Sequence, residues 1–138
     1  MTDKVFVDSN IWLYAFIQSK GDQEKRVKAR VCIVDADEIV ISTQVVNEVC
    51  INLMRKGNKD GVFIDQFLHD FVSTYSVMSQ TKGDVLEASS IRKDYHFSYW
   101  DSLIIASAIR GNCKSLYSED MQHGLHVYDQ LQICNPLQ

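Results

Sequence analysis

Four acidic residues stand where a fold could bring them together. Asp8 ends "KVFVD", Glu48 lies in "STQVVNEVC", Asp101 in "SYWDSLIIASA", and Asp120 closes "SLYSED". Carboxylates crowded into a low-dielectric cleft repel one another, so a proton or a metal ion has to neutralise them. Oxygen-only donors suit Mg²⁺ or Mn²⁺ rather than zinc. Such a centre polarises a phosphodiester, lowers the pKa of water, and can hold two ions about 3.5–4 Å apart for in-line displacement. The chemistry these residue types point to is metal-dependent hydrolysis of phosphate esters.

Each acid also has a plainer reading. Asp8 suits the N-cap of a following helix. Asp101 could answer Ser98 in a capping box, although Glu fills that role better. Glu48 could be an ordinary solvated side chain beside an apolar stripe, and Asp120 could open a turn in "SEDMQHG". The joint pattern is what favours a site.

The elements that must position these residues alternate between strand and helix. "KVFVD" (4–8) reads as a short buried strand, followed by a helix over 9–18 and a break at 19–22. Residues 22–36 form a second helix, with Val27, Val31 and Val34 at helical spacing and Arg26, Lys28 and Arg30 off that stripe. "EIVIS" (38–42) is a strand. The next helix gathers Val45, Val46, Val49, Leu53 and Met54 on one face and ends near Gly57. A helix over 60–72, a strand in "TYSVMS" and a helix in "DVLEASSIRKD" follow. "SYWDSLIIASAIRGN" is apolar almost all round, which predicts a central buried helix. Strands at 114–118 and 131–134 complete the set.

This order predicts an α/β fold: a three-layer α/β/α sandwich around a mainly parallel, five-stranded sheet, with 1–138 as one domain. Open sheets of this kind bind ligands beyond the carboxyl ends of their strands, where strand order reverses. Asp8 and Asp120 fall at such ends.

With 46% hydrophobic residues and a single proline, the chain can bury a sizeable core. It has no apolar run near the ~18–20 residues of a membrane span, and "MTDKVFV" lacks a signal-peptide profile. A cytoplasmic protein with free cysteines is expected. The net charge of −4 argues weakly against a nucleic-acid partner, because binding depends on local basic surface. Arg26, Lys28 and Arg30 are candidates for RNA backbone contact, with a solvated helix face as the alternative. Cys113, His123, His126 and Cys134 match no standard zinc spacing. Trp100, beside Tyr99, Phe97 and Tyr95, could stack on RNA bases, but packing at the helix start is the expected role.

"VFVDSN", Glu48 after "STQVVN", "YWDSLIIASA" and "LYSEDMQHG" together resemble the PIN-domain nucleases, in particular the toxin ribonucleases of VapBC-type toxin–antitoxin pairs. The likeness runs from about Lys4 to Cys134. It implies that Asp8, Glu48, Asp101 and Asp120 bind Mg²⁺ or Mn²⁺ and activate water, with Ser9, Asn10, Ser118 and Glu119 close by. It also implies an RNA substrate, a homodimer using some of Val62, Phe63, Phe67 and Phe71, and an antitoxin. That antitoxin is expected near Trp12, Tyr14 and Phe16, directing a basic residue at the four acids. Two other readings remain open: a PIN-domain protein that processes or binds RNA without a toxin role, and a phosphatase with Asp8 as nucleophile. The phosphatase usually wants a second acid two residues on, where Asn10 stands.

Overall fold

Lys4–Val7 forms the first strand, β1, with Val5, Phe6 and Val7 buried; a strand covered on both faces needs a continuous apolar run rather than alternation. The structure is a computed structural model that describes residues 3–138. It continues with helix α1 (Ser9–Phe16), α2 (Gln23–Asp35), β2 (Glu38–Ser42), α3 (Thr43–Arg55), α4 (Gly61–Thr74) and β3 (Ser76–Met78). Then come α5 (Lys82–Tyr95), α6 (Tyr99–Arg110), β4 (Ser115–Tyr117), β5 (His126–Val127) and β6 (Leu131–Cys134).

The strand order is β3-β2-β1-β4-β6-β5. β1 pairs in parallel with β2, where Phe6 faces Val40, and with β4, where Phe6 faces Leu116. The chain thus leaves β1 in one direction and returns on its other side, which puts the reversal of strand order between β1 and β4. The sheet is mainly parallel and flanked by helices, as expected, but it has six strands and not five. The added strand, β5, runs antiparallel to β6 and is two residues long, too short for any periodicity to reveal.

Helix α1 is clamped directly behind the first strand. Trp12 is fully buried, and its indole N–H donates to the Val7 carbonyl at 3.0 Å. The helix ends at Phe16, short of the expected 18, because Ile17 is already extended (φ −101°, ψ 120°). Helix α6 is the central helix, with Ser102 to Ala108 all buried. It packs against α5, where Arg110 grips the buried Asp84 through Nε (2.8 Å) and Nη2 (2.9 Å).

Helix α2 departs from its expected orientation. Val27, Val31 and Val34 face outward, and Ala29 is the buried residue, a small side chain suited to close approach against α1. Among the described residues no helix is long and apolar enough to cross a membrane.

Candidate active site

Asp8 immediately follows β1 and is the N-cap of α1, in an extended conformation (φ −71°, ψ 158°). Capping and site geometry therefore coincide in this residue. Its Oδ1 accepts from the Ser9 N–H (2.8 Å) and its Oδ2 accepts from the Ser118 hydroxyl (2.8 Å). The Asp8 N–H donates to the Tyr117 carbonyl at 2.9 Å, extending the β1–β4 ladder to the acid itself.

Ser118 follows β4 and is fully buried. Its oxygen also accepts from the Asp120 N–H (3.3 Å), so one hydroxyl braces both acids. Asn10 completes the bracket: Nδ2 donates to Asp120 Oδ2 (3.0 Å), and Oδ1 accepts from the Glu119 N–H (3.2 Å). The amide at position 10 is a brace between two strand ends, with both its polar groups engaged.

Glu48 lies on α3, half-buried, and its Oε1 is a buried oxygen without a hydrogen-bond partner. Such an atom costs free energy unless something neutralises it. Asp101 sits in the first turn of α6, whose N-cap Ser98 accepts from the Asp101 N–H (3.1 Å). Asp120 is exposed at the rim. The N-termini of α1 and α6 thus each carry a site carboxylate, where the helix dipole favours negative charge.

The electrostatics tie the four together. Burial pushes the Asp8 carboxyl up to about 6; the Ser118 and Ser9 hydrogen bonds oppose that rise, and the charges of Asp101 and Asp120 add to it. Burial also pushes Glu48 up to about 7, with the charges of Asp8 and Asp101 adding and Gln44, one turn earlier, opposing. Asp101 is raised by burial too, against Ser98 and with Asp120. A fifth acid behaves differently. Burial works to raise Glu119, but the Lys25 ammonium (2.7 Å) and the Tyr14 hydroxyl (2.8 Å) outweigh it and hold the carboxyl below its ordinary range. Glu119 already has its counter-charge; the four acids do not.

Among the described residues, no three acidic, His or Cys side chains stand close enough to close around one ion in this arrangement. The acids face each other at electrostatic rather than coordination range. The fit to a cation therefore rests on donor chemistry and burial, not on side-chain spacing. By that test the residues suit a hard divalent cation: oxygen donors, shared negative charge and a buried oxygen without a partner. The sulfur–imidazole alternative has no such character. Cys113 is pushed up to about 12 by burial, and His123 Nδ1 accepts from the Asn135 N–H (2.8 Å).

Other expected residues fall elsewhere. Arg30 Nε donates to the Ala15 carbonyl (2.9 Å), tying α2 to α1. Lys28 reaches the Leu137 carbonyl (3.3 Å) and Glu24 (3.2 Å). The Arg26 Nε is buried without a partner. The cation of α2 that reaches the site's edge is Lys25, on Glu119. Trp100, expected to pack, is 65% exposed. Trp12, expected to be open to a partner, is sealed in the core, and Phe71 is likewise buried within its own chain.

Sequence reasoning named Asn10 and Ser118 near the acids but missed Gln44. Gln44 Nε2 donates to the Trp100 carbonyl (3.3 Å), and Gln44 Oε1 accepts from Gln80 (2.8 Å), joining α3 to the start of α6. Its place one helical turn before Glu48 was the available signal. A cleft of about 570 Å³, lined in part by Asn10, Tyr14, Ile17 and Lys56, adjoins the site through Asn10 and Glu119.

A family model described as PIN domain matches residues 5–124. No curated protein matches the sequence. Solved structures do. A toxin–antitoxin complex from Klebsiella pneumoniae is similar at a TM-score of 0.72 and 16% identity, covering 96% of this chain and 97% of that one. VapC20 of Mycobacterium tuberculosis, described as a sarcin–ricin loop cleaving toxin, gives 0.68 at 16% identity, over 84% of this chain and 89% of that one. VapBC2 from Rickettsia felis, bound to a DNA fragment from its promoter, gives 0.63 at 17% identity, over 96% and 99%.

Proposed function

Because the chain belongs to the PIN domain family, we propose that it is a metal-dependent endoribonuclease and the toxin of a toxin–antitoxin pair. One observation carries this reading: Asp8, Glu48 and Asp101, with raised pKa values, act on one another and on Asp120 at the strand-order reversal, and Glu48 Oε1 has no partner. Asp8, Glu48, Asp101 and Asp120 would hold Mg²⁺ or Mn²⁺. The ion would supply charge to the phosphate and acidify the attacking water.

The chain's own residues do the rest. Ser118 and the Ser9 N–H fix both oxygens of Asp8, and Asn10 fixes Asp120, so the reacting groups need little reorganisation. Burial and the neighbouring charges raise Glu48 while it lacks a counter-charge, which suits it to take a cation as one of the ligands. Lys25 holds Glu119 out of the cluster. The other cations of α2 are Arg26, Lys28 and Arg30; with Lys28 and Arg30 engaged on their own chain, they would offer an RNA backbone the positive charge of that flank rather than direct contacts.

Of the expected antitoxin contacts Trp12 is closed off by burial, while Phe16 stays accessible. Phe16, Phe63, Phe67 and Phe71 line a groove of about 330 Å³ between α1 and α4, open enough for an amphipathic segment. A basic side chain from its tail would then meet the four acids. The similarity to toxin–antitoxin complexes supports this partner class.

The direct trial is to incubate purified protein with RNA and Mg²⁺ or Mn²⁺. Cleavage that stops on adding EDTA supports the enzyme reading, and cleavage indifferent to EDTA counts against the metal. Co-expression with the neighbouring gene product tests the toxin role. If no neighbour binds and the nuclease alone is harmless while still cutting RNA, a housekeeping RNA-processing role replaces it.

A further inference from the structure

Trp100 directly precedes Asp101 in the chain and stands in solvent. Its Cα lies one peptide unit, about 3.8 Å, from that of Asp101. Of the two tryptophans, Trp12 is fully buried and Trp100 is 65% exposed. Leaving a large apolar ring in water is unfavourable, so an exposed ring one residue before Asp101 gives reason to look for a ligand. The backbone beneath the ring is fixed. The Trp100 carbonyl accepts from Gln44, the following N–H is capped by Ser98, and the Tyr99 ring packs edge-on at 5.8 Å and 72°. This is a positioned ring, not a frayed one.

Resting on the nuclease reading above, we propose that Trp100 is a substrate-binding residue that stacks on an unpaired base next to the scissile phosphate, which selects single-stranded or loop RNA. Two physical points favour stacking. The chain carries a net charge of −4, so away from the ion and the α2 flank phosphate attraction is weak, and a neutral contact adds affinity. Stacking on an aromatic ring supplies it without sequence preference, because every base has a π-face. In an A-form duplex the base faces are already covered by their neighbours, and the ring has nothing to stack on.

The test uses wild type, Trp100→Ala and Trp100→Phe with a short single-stranded RNA and the same strand annealed to its complement. Trp100→Ala should raise KM on the single strand about tenfold, with kcat nearly unchanged, and Trp100→Phe should recover most of the loss. In Asp8→Asn protein, titrated single-stranded RNA should quench indole emission; duplex should not, and the quench should vanish in Asp8→Asn/Trp100→Phe, leaving Trp12 as an internal reference. An unchanged KM in Trp100→Ala overturns the proposal. So does a quench that survives Trp100→Phe, or emission that responds to protein concentration instead of RNA, which would mark a protein contact. Quenching by RNA without cleavage by wild type would sink the nuclease reading and leave the stacking role in place. Cleavage with neither effect would sink the stacking role alone.

Discussion

Ser118 donates a hydrogen bond of 2.8 Å to Asp8 across 110 residues of chain. One residue follows β1 and the other follows β4, so this bond closes the sheet's central pair around the site. Ser118→Ala would leave a buried carboxylate oxygen without its donor. Hydrogen bonds to charged groups contribute about 1.5–3 kcal/mol, and urea unfolding at pH 7.5 should show a loss in that range. Because the lost bond is one that lowers Asp8, its carboxyl should titrate higher still. Unaltered stability would mean that the bond is not formed in solution.

Asp8 and Glu48 should make the protein more stable as pH falls from 8 toward 5. Unfolded, they ionise at their ordinary 3.8 and 4.5; folded, they ionise at about 6 and about 7. Between those limits the native state binds more protons, so the cost of ionising both groups is present above pH 7 and relieved on acidification. Each contributes on the order of 2–3 kcal/mol. Asp8→Asn and Glu48→Gln should raise the Tm at pH 8 and flatten the profile, and Mg²⁺ should raise the wild-type Tm more at pH 8 than at pH 5.5. A wild-type Tm that climbs with pH through this window would contradict the assignment.

The Asp84–Arg110 pair should matter to the fold and not to the chemistry. Asp84 is buried, bound twice by Arg110, and part of a capping box with Thr81. Burial works to raise its carboxyl, but Arg110 and Thr81 hold it below the ordinary range. Its contribution is therefore present above pH 4 and lost as pH falls through the folded value. Asp84→Ala should cost about 3 kcal/mol, with cleavage per folded molecule unchanged. Calorimetry alongside an activity assay separates the two.

Light scattering should give about twice the 15.8 kDa chain mass. Val62 is 83% exposed on α4 and lies outside the groove proposed for the antitoxin, an apolar surface that a second copy would cover. Val62→Glu should shift the mass to that of the monomer. A monomeric wild type at micromolar concentration would refute the dimer.

How much of this was readable in the sequence depended on the length of each signal. The run Leu103 to Ile109 is long and apolar almost all round, and it is the central helix. Asp8 was legible because a buried strand stops at a carboxylate. β5 was not: it is two residues long, and its turn places Tyr128 and Asp129 at φ +51° and +55°, a conformation usually signalled by Asn-Gly. The valines of α2 kept helical spacing but turned outward, because spacing defines a face without saying which way it points. Trp12, expected near a partner, is buried, and Trp100, expected to pack, is exposed, because composition around a ring does not say which side of its helix meets the core. Ser118 and Asn10 were expected beside the acids, but the bonds they make join distant segments and no local pattern names the partner; Gln44 had only its place one turn before Glu48.

The central claim is that Asp8, Glu48, Asp101 and Asp120 together hold the ion that cuts RNA. The most direct measurement pairs Mn²⁺ calorimetry with RNA cleavage for Asp8→Asn, Glu48→Gln, Asp101→Asn, Asp120→Asn and a Glu119→Gln control. Each of the four should lose at least about tenfold in metal affinity and about a hundredfold in cleavage rate, whereas Glu119→Gln keeps its metal. Wild-type cleavage by any of the four variants, with metal binding intact, would contradict the account.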